Sequence, residues 1–154
     1  MSVSKTATDE RMMRRALELA GQAATHGDVP IGAVVARGDE VLGAAGNERE
    51  HRKDPTAHAE VLALRQAAKR LGGWRLLETA IYVTLEPCPM CAGAITLARV
   101  PRLIYAAADP KGGAVGSVID LFAEPVVNHR PTVEAGLLEA ESAALLEAFF
   151  SSRR

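Results

Sequence analysis

The stretch AIYVTLEPCPMCAGAITLARVPRLIYAA, residues 80–107, predicts a β-strand, an α-helix and a second β-strand in direct succession. Residues 80–85 and 102–107 are rich in apolar side chains, many of them β-branched or aromatic, which favours strands. Two prolines open the segment between them, as they do at helix starts, and the helix is expected to extend to about Arg99. We therefore expect a strand-helix-strand unit with a Cys-x-x-Cys motif at its first turn.

Predicted helices and strands alternate on both sides of this unit. The expected upstream elements are a helix from residue 9 to the turn at Gly27, two hairpin strands at residues 31–36 and 41–45, and a helix at residues 55–70. The expected downstream elements are a glycine-rich loop at residues 109–117, a helical turn at 118–122, a short strand at 132–134 and a final helix at 137–151.

This alternation predicts an α/β protein with a three-layer α/β/α architecture and a central mixed five-stranded sheet. No internal repeat or linker is visible, so residues 1–154 are expected to form a single domain in which residues 1–8 are a flexible N-terminal tail. Sites in such sheets lie at strand ends and at the starts of the helices that follow them.

The composition is that of an ordinary globular domain, with 154 residues and 48% hydrophobic side chains. The net charge is −1, from 18 basic and 19 acidic residues, so any surface for nucleic acid has to be local. Both cysteines lie in one motif and form no disulfide framework, which favours the reducing cytoplasm. The uncharged stretch at residues 87–98 is too short to cross a membrane, so we expect no membrane association.

Two short motifs supply metal-binding chemistry: His58-Ala59-Glu60 and Cys88-x-x-Cys91. A structural zinc site normally uses four protein ligands, whereas a catalytic one keeps a position open for water and needs a nearby base. His58, Cys88 and Cys91 are the candidate ligands, and Glu60 is the candidate base. This set predicts hydrolytic zinc chemistry.

Other interpretations of the same residues remain open at this point. A strand followed by Cys-x-x-Cys at a helix start is also typical of thioredoxin-like redox sites and of purely structural domains. His58 and Glu60 are two residues apart, and on a regular helix this spacing points them in different directions. The joint occurrence of both motifs is what favours the zinc interpretation.

The combination of His-x-Glu with Pro-Cys-x-x-Cys resembles the zinc-dependent nucleobase deaminases, and the chain from about Asp9 to Phe150 resembles the bacterial tRNA-specific adenosine deaminases among them. The resemblance rests on residues 29–33 (VPIGA), Asn47, residues 54–60 (DPTAHAE), residues 82–88 (YVTLEPC), residues 90–94 (MCAGA), residues 109–117 and residues 128–130 (NHR).

The resemblance implies a cytidine deaminase-like fold, one Zn²⁺ per subunit, no organic cofactor, and a homodimer that acts on the anticodon stem-loop of a tRNA. The implied reaction is hydrolytic deamination of the wobble adenosine to inosine with release of ammonia. Glu60 would move the protons in this reaction. The zinc motif alone would also suit a free-base or nucleoside deaminase, such as a guanine or cytosine deaminase.

The resemblance also implies substrate contacts. Asn47 would bind the purine edge through its amide, although asparagine is also common in turns. Ala59 would contribute its backbone, and Asp109 would accept a hydrogen bond from a ribose 2′-hydroxyl and thereby favour RNA. Lys111 would meet the tRNA backbone, and Phe149 would face a base of the anticodon loop, although core packing is expected for at least one of the two phenylalanines of the last helix.

Overall fold

The computed structural model describes residues 6–153. Its helices are α1 (Ala7–Thr25), α2 (Arg49–Arg52), α3 (Ala59–Leu71), α4 (Pro89–Leu97) and α5 (Glu139–Ser151), and a 3₁₀ turn spans Leu121–Ala123. Its strands are β1 (Gly32–Arg37), β2 (Glu40–Gly46), β3 (Ala80–Leu85), β4 (Arg102–Ala107) and β5 (Thr132–Ala135).

The five strands form one mixed sheet in the order β2-β1-β3-β4-β5. Strand β1 pairs antiparallel with β2 and β3, whereas β3, β4 and β5 run parallel. These directions place the start of β1 and the ends of β2, β3 and β4 along one edge of the sheet, the edge that is formed by strand ends and not by an outer strand. Four connections of the chain therefore meet at this edge, which is where sites are expected in α/β sheets.

Each face of the sheet is covered by helices, because alternate residues of a strand point to opposite faces. On one face, Ile81 and Leu103 pack in a buried cluster with residues of α3 and α4, such as Ala63 and Ile95. On the other face, Tyr82 and Ile104 pack with Met12, Met13 and Ala16 of α1 and with Leu137, which precedes α5. The predicted three-layer fold with a mixed five-stranded sheet is confirmed.

Two glycines let helices approach the hairpin closely. A Cβ atom added to Gly32 would overlap the carbonyl oxygen of Ala16 in α1, and one added to Gly43 would overlap that of Ala63 in α3. Since these are backbone atoms of packed helices, they have little room to move. The small residues of the hairpin thus set the distance between the sheet and both helix layers.

Several predicted boundaries were wrong. Residues 1–5 of the predicted tail lie outside the described residues, but helix α1 already begins at Ala7 because Thr6 and Asp9 form a capping box at its start. The short helix α2 was not predicted. Helix α3 begins at Ala59 rather than at residue 55, because His58 has an extended backbone and the preceding residues form a turn that Asp54 stabilises by accepting from the amide of Thr56.

A partly buried ionic network links α1 to the sheet. The hydroxyl of Tyr82 donates to Asp9 at 2.6 Å, and Arg102 bridges Asp9 and Glu134 with contacts of 2.7 and 2.6 Å. Burial opposes ionisation of Asp9, but hydrogen bonds from Arg102 and Tyr82 and the charge of Arg102 outweigh it and hold the pKa of that carboxyl below its usual range.

None of the helices within residues 6–153 combines the length and the apolar character that a membrane span requires.

Candidate active site

A cleft of about 530 Å³ opens at the sheet edge where the four connections meet. The predicted site residues that line it are Asn47, His58, Ala59, Glu60, Cys88, Asp109 and Lys111. Cys91 is buried behind Cys88. The structure thus brings together residues from separate parts of the sequence at the ends of β2, β3 and β4 and the start of α3.

Two helix starts converge on the candidate metal ligands. His58 is the N-cap residue of α3, Cys88 is the N-cap residue of α4, and Cys91 lies in the first turn of α4. The Nδ1 atom of His58 lies 3.6 Å from Sγ of Cys88 and 3.5 Å from Sγ of Cys91. One ligand atom from each residue falls within 4.8 Å of the other two, so the three side chains could hold one metal ion.

The surroundings of the two cysteines favour the thiolate of Cys88 and the protonated thiol of Cys91. A hydrogen bond from Cys91, opposed by burial and helped by His58, lowers the pKa of Cys88 to about 4. The pKa of Cys91 is raised, first by its hydrogen bond to Cys88 and then by burial and the nearby Glu60. The hydrogen bond that His58 donates to the sulfur of Cys88 in turn raises the pKa of His58. A cluster with thiolate character next to an imidazole is suited to a soft divalent cation.

Glu60 is a buried carboxylate beside this cluster, with 4% of its surface exposed. Burial raises its pKa to about 7, and the negative charge of Cys88 adds to that effect, whereas its own backbone amide and the charge of His58 oppose it. The two-residue spacing from His58 does not separate the two side chains. Because His58 is extended and only Ala59 onward is helical, both side chains face the cleft.

Asn47 follows β2 and lies in the wall of the cleft with 4% of its surface exposed. Its amide nitrogen donates to the carbonyl oxygen of Val29 at 3.3 Å, and its amide oxygen accepts from the backbone of Arg49 at 3.3 Å. These contacts fix a turn, as the simpler interpretation of this asparagine predicted. One N–H and one lone pair of the amide remain for a ligand.

Sequence reasoning missed Asp28, which supports the Asn47 side of the cleft. Its carboxylate is buried and accepts from the backbone amides of Glu50 at 2.7 Å and His51 at 3.1 Å, and it lies 2.8 Å from Nδ1 of His26. Asp28 thereby anchors α2, whose first residue, Arg49, also lines the cleft.

Sequence reasoning also missed Glu86, which supports the opposite side. Its buried carboxylate accepts from the amides of Asp109, Val115 and Ser117 at 2.9 to 3.1 Å, and from the hydroxyl of Ser117. Burial opposes its ionisation, but these hydrogen bonds outweigh that effect and keep the pKa of Glu86 below its usual range. The only sequence signal was an acidic residue at the end of an otherwise apolar strand.

Asp109 and Lys111 lie on the glycine-rich loop, residues 109–117, as predicted. Oδ1 of Asp109 accepts from the amides of Lys111 at 3.0 Å and Gly112 at 3.2 Å, so Asp109 caps a turn as well as lining the cleft. Its carboxylate therefore has a fixed orientation at the mouth of the cleft.

The prediction for Phe149 needs correction. Phe149 is 8% exposed, and the guanidinium carbon of Arg153 lies 3.8 Å from the centre of its ring. It does not line the cleft, whereas Phe150, which is 49% exposed, and Leu146 do. Adjacent residues of a helix point about 100° apart, so only one of the two phenylalanines can face the cleft.

Comparison with known proteins places this arrangement in a family. The family model of the MafB19-like deaminases matches residues 7–154. A protein of Bacillus subtilis (strain 168) named tRNA-specific adenosine deaminase is 46% identical over 146 residues, which are 95% of this chain and 91% of that protein.

Two groups of solved structures are similar in fold. A structure from a study of A-to-I editing by tRNA:A34 deaminases superimposes with a TM-score of 0.86 and 47% identity, over 88% of this chain and 99% of that one. A guanine deaminase from Nitrosomonas europaea superimposes with a TM-score of 0.71 and 28% identity, over 92% of this chain and 84% of that one. The chain therefore belongs to the MafB19-like deaminase family, in which it is similar to the tRNA-specific adenosine deaminases over nearly its whole length.

Proposed function

We propose that this protein is a zinc-dependent tRNA adenosine deaminase that converts the wobble adenosine of an anticodon stem-loop, position 34, to inosine. The observation that carries the proposal is the cleft in which three metal-ligand side chains and one buried carboxylate meet. The names of its relatives supply the substrate, a tRNA adenosine.

The donor set fits zinc. Bond lengths of about 2.0 Å to nitrogen and about 2.3 Å to sulfur, at a tetrahedral angle, separate a zinc-bound nitrogen and sulfur by about 3.5 Å. The separations of 3.6 and 3.5 Å between His58 Nδ1 and the two sulfur atoms agree with this value. When bound by three protein ligands, zinc keeps one position open and makes water a nucleophile near neutral pH.

Glu60 is proposed to move the protons. A carboxyl group with a pKa of about 7 takes up and releases protons near neutral pH, which suits general acid-base catalysis. Glu60 takes the proton from the attacking water and delivers it to ring nitrogen N1 of adenine while the hydroxide adds to C6. It then takes the proton of the hydroxyl group on C6 and delivers it to the departing amino group, so that the C6–N bond breaks, ammonia leaves and hypoxanthine, the base of inosine, remains.

The residues at the mouth of the cleft are proposed to hold the nucleotide. The free half of the Asn47 amide binds the purine edge, and the backbone of Ala59 lies between the ligand His58 and the base Glu60. Asp109 is proposed to accept from a ribose 2′-hydroxyl, and Lys111, which lines the cleft, is proposed to bind a phosphate of the anticodon loop. Arg49, at the start of α2, offers a second cation on the other side.

Phe150 takes the stacking role first expected of Phe149. Its ring is half exposed at the edge of the cleft, and single-stranded loops present unstacked bases to such rings.

The wider assignments also belong to this proposal: a single domain, a cytoplasmic location and a homodimer. The homodimer is supported by an apolar groove between α3 and α4, lined by Leu64, Ala94 and the exposed Trp74 and Leu97. A second copy of the chain would cover it, and a monomer in sedimentation velocity at micromolar concentration would contradict this assignment.

The decisive experiment compares two substrates with the same purified protein. An anticodon stem-loop RNA with adenosine at the wobble position should yield inosine and ammonia, and free guanine should not react. The guanine deaminase fold shared with the protein from Nitrosomonas europaea makes guanine the appropriate rival substrate. Turnover of guanine without turnover of the RNA would overturn the proposal.

A further inference from the structure

The glycine-rich loop, residues 109–117, is closed by one side chain. Both carboxylate oxygens of Glu86 are engaged: Oε1 accepts from the amide of Asp109 and the hydroxyl of Ser117, and Oε2 accepts from the amides of Val115 and Ser117. The amide of Asp109 is at the first residue of the loop, and the other donors belong to Val115 and Ser117 at its end. A single acceptor therefore ties both ends of the loop to the end of strand β3.

The interior of the loop is shaped around the same carboxylate. A Cβ atom on Gly113 would overlap the carboxylate of Glu86, so a glycine is needed at this position to let the backbone pass. Glu86 is 2% exposed, which leaves it little contact with water. The backbone of Glu86 is bound to the sheet, since its amide donates to the carbonyl oxygen of Ala107 in β4 at 2.8 Å. The loop thus takes its position from β3 and β4.

The cleft side of this loop carries Asp109 and Lys111. The backbone of Asp109 is held by Glu86, and its side chain is held by the amides of Lys111 and Gly112. Removing the Glu86 carboxylate would release the first contact and leave the second. The side chain of Asp109 would then move with a loosened loop relative to the ligands and to Glu60.

We infer that Glu86 is a positioning residue for substrate choice: by holding the glycine-rich loop, it fixes the Asp109 carboxylate where it accepts from a ribose hydroxyl of the bound RNA. The inference rests on the proposed function and deepens it. Glu86 lines the cleft, but both of its carboxylate oxygens are engaged by the loop, so in this role it acts through Asp109.

The first test measures the loop alone. In Glu86→Gln, the amide nitrogen replaces one acceptor oxygen and faces backbone N–H donors, so protection of the amides of Asp109, Val115 and Ser117 from hydrogen exchange should fall by about tenfold. Ser142→Ala is the matched control, because Ser142 is buried and donates to the carbonyl oxygen of Thr84 on the same strand. If the protection of these amides is unchanged in Glu86→Gln, or falls equally in Ser142→Ala, Glu86 does not hold the loop.

The second test is a double-mutant cycle of Glu86→Gln and Asp109→Asn, read on a wobble-adenosine stem-loop made of RNA and on its DNA counterpart. Glu86→Gln should raise KM for the RNA by about tenfold, leave zinc content unchanged and shrink the RNA-to-DNA ratio of kcat/KM. In the Asp109→Asn background, the same substitution should change that ratio by less than about twofold.

The inference is refuted if the two substitutions change the RNA-to-DNA ratio of kcat/KM by independent factors that multiply. It is also refuted if Glu86→Gln loses zinc, because Glu86 would then not act through Asp109. If Glu86→Gln does not fold, Ser117→Ala, which removes only one hydroxyl donor, should shift KM and the ratio in the same direction by a smaller factor, and no shift would refute the inference. A wild-type protein that leaves the stem-loop unreacted would refute the proposed function instead, while the exchange experiment would still decide whether Glu86 holds the loop.

Discussion

The carboxylate of Asp9 accepts two hydrogen bonds from the guanidinium group of Arg102, at 2.9 and 2.7 Å, across 93 residues of sequence. The pair joins the first helix to the parallel half of the sheet. Since Asp9 is 1% exposed, removing its charge takes a buried partner away from the partly buried Arg102 cation, which keeps its contact with Glu134.

Asp9→Asn is expected to lower the free energy of unfolding by about 2 kcal/mol in urea at pH 7. Because the pKa of Asp9 is lower in the folded protein, its contribution is present above the unfolded pKa of about 4 and is lost as pH falls through the folded value. Stability should therefore fall less steeply below pH 5 in Asp9→Asn than in the wild type.

The control for this pair is Glu10→Gln, which removes an exposed ion pair with Arg14 in the same helix. It should change the free energy of unfolding by less than about 0.5 kcal/mol. If the stability of the wild type and of Asp9→Asn falls equally with decreasing pH, the ionised Asp9 carboxylate does not stabilise the folded protein.

Glu60→Gln should separate proton transfer from metal binding. The variant keeps His58, Cys88 and Cys91 and is expected to retain zinc, but kcat on the stem-loop should fall by at least about 100-fold because the side chain can no longer carry a proton. Zinc is measured by mass spectrometry on the same samples that are assayed. Near-normal turnover with full zinc would show that another group moves the protons.

The metal site is tested by comparing two neighbouring residues of α4. Cys91→Ser should lose most of the zinc and all measurable activity, whereas Met90→Ala, at an exposed position between the two cysteines, should keep both. A chelator should lower the Tm of the wild type by about 10 °C and leave Cys91→Ser unaffected. A redox protein would behave differently, with a Cys88–Cys91 disulfide and no stoichiometric zinc.

The two phenylalanines of α5 should have opposite effects. Phe150→Ala is expected to raise KM for the stem-loop by about 5-fold to 100-fold through lost stacking, with little change in unfolding. Phe149→Ala should lower the free energy of unfolding by about 3 kcal/mol and leave KM near the wild-type value. The reverse pattern would restore the original expectation for Phe149.

Gly43→Ala tests the close approach of α3 to the hairpin. The added methyl group overlaps the carbonyl oxygen of Ala63, so the free energy of unfolding should fall by about 1–3 kcal/mol in urea. Gly73→Ala is the control, since a Cβ there meets open space, and it should stay within about 0.5 kcal/mol of the wild type. Equal stability of the two variants would show that the helix can move away from the sheet.

The sheet could be predicted from sequence because strand residues such as Ile81 and Leu103 belong to short apolar runs bounded by turn residues. The grouping of His58, Cys88 and Cys91 could be predicted because histidine and cysteine in these spacings have few other uses together. The start of α3 could not, since the extended backbone of His58 depends on a turn held by Asp54 rather than on helix propensity.

The supporting carboxylates could not be predicted for a different physical reason. Glu86 and Asp28 bind backbone amides 22 to 31 residues away, and every residue except proline has such an amide, so these partners leave no pattern in the sequence. The choice between Phe149 and Phe150 failed because α5 is apolar on most of its surface, so its periodicity does not indicate which side faces the cleft.

The convergence of four connections at one sheet edge has a consequence for how such an enzyme can diversify. The proposed substrate contacts Asn47 and Asp109 lie on different connections from the candidate ligands Cys88 and Cys91. Within the glycine-rich loop, Ala114 and Val115 pack in the buried cluster under α3 and α4. A loop graft at residues 109–117 from a relative with another substrate should therefore transfer selectivity, provided that Glu86 can still bind the ends of the loop and that the buried Ala114 and Val115 are kept.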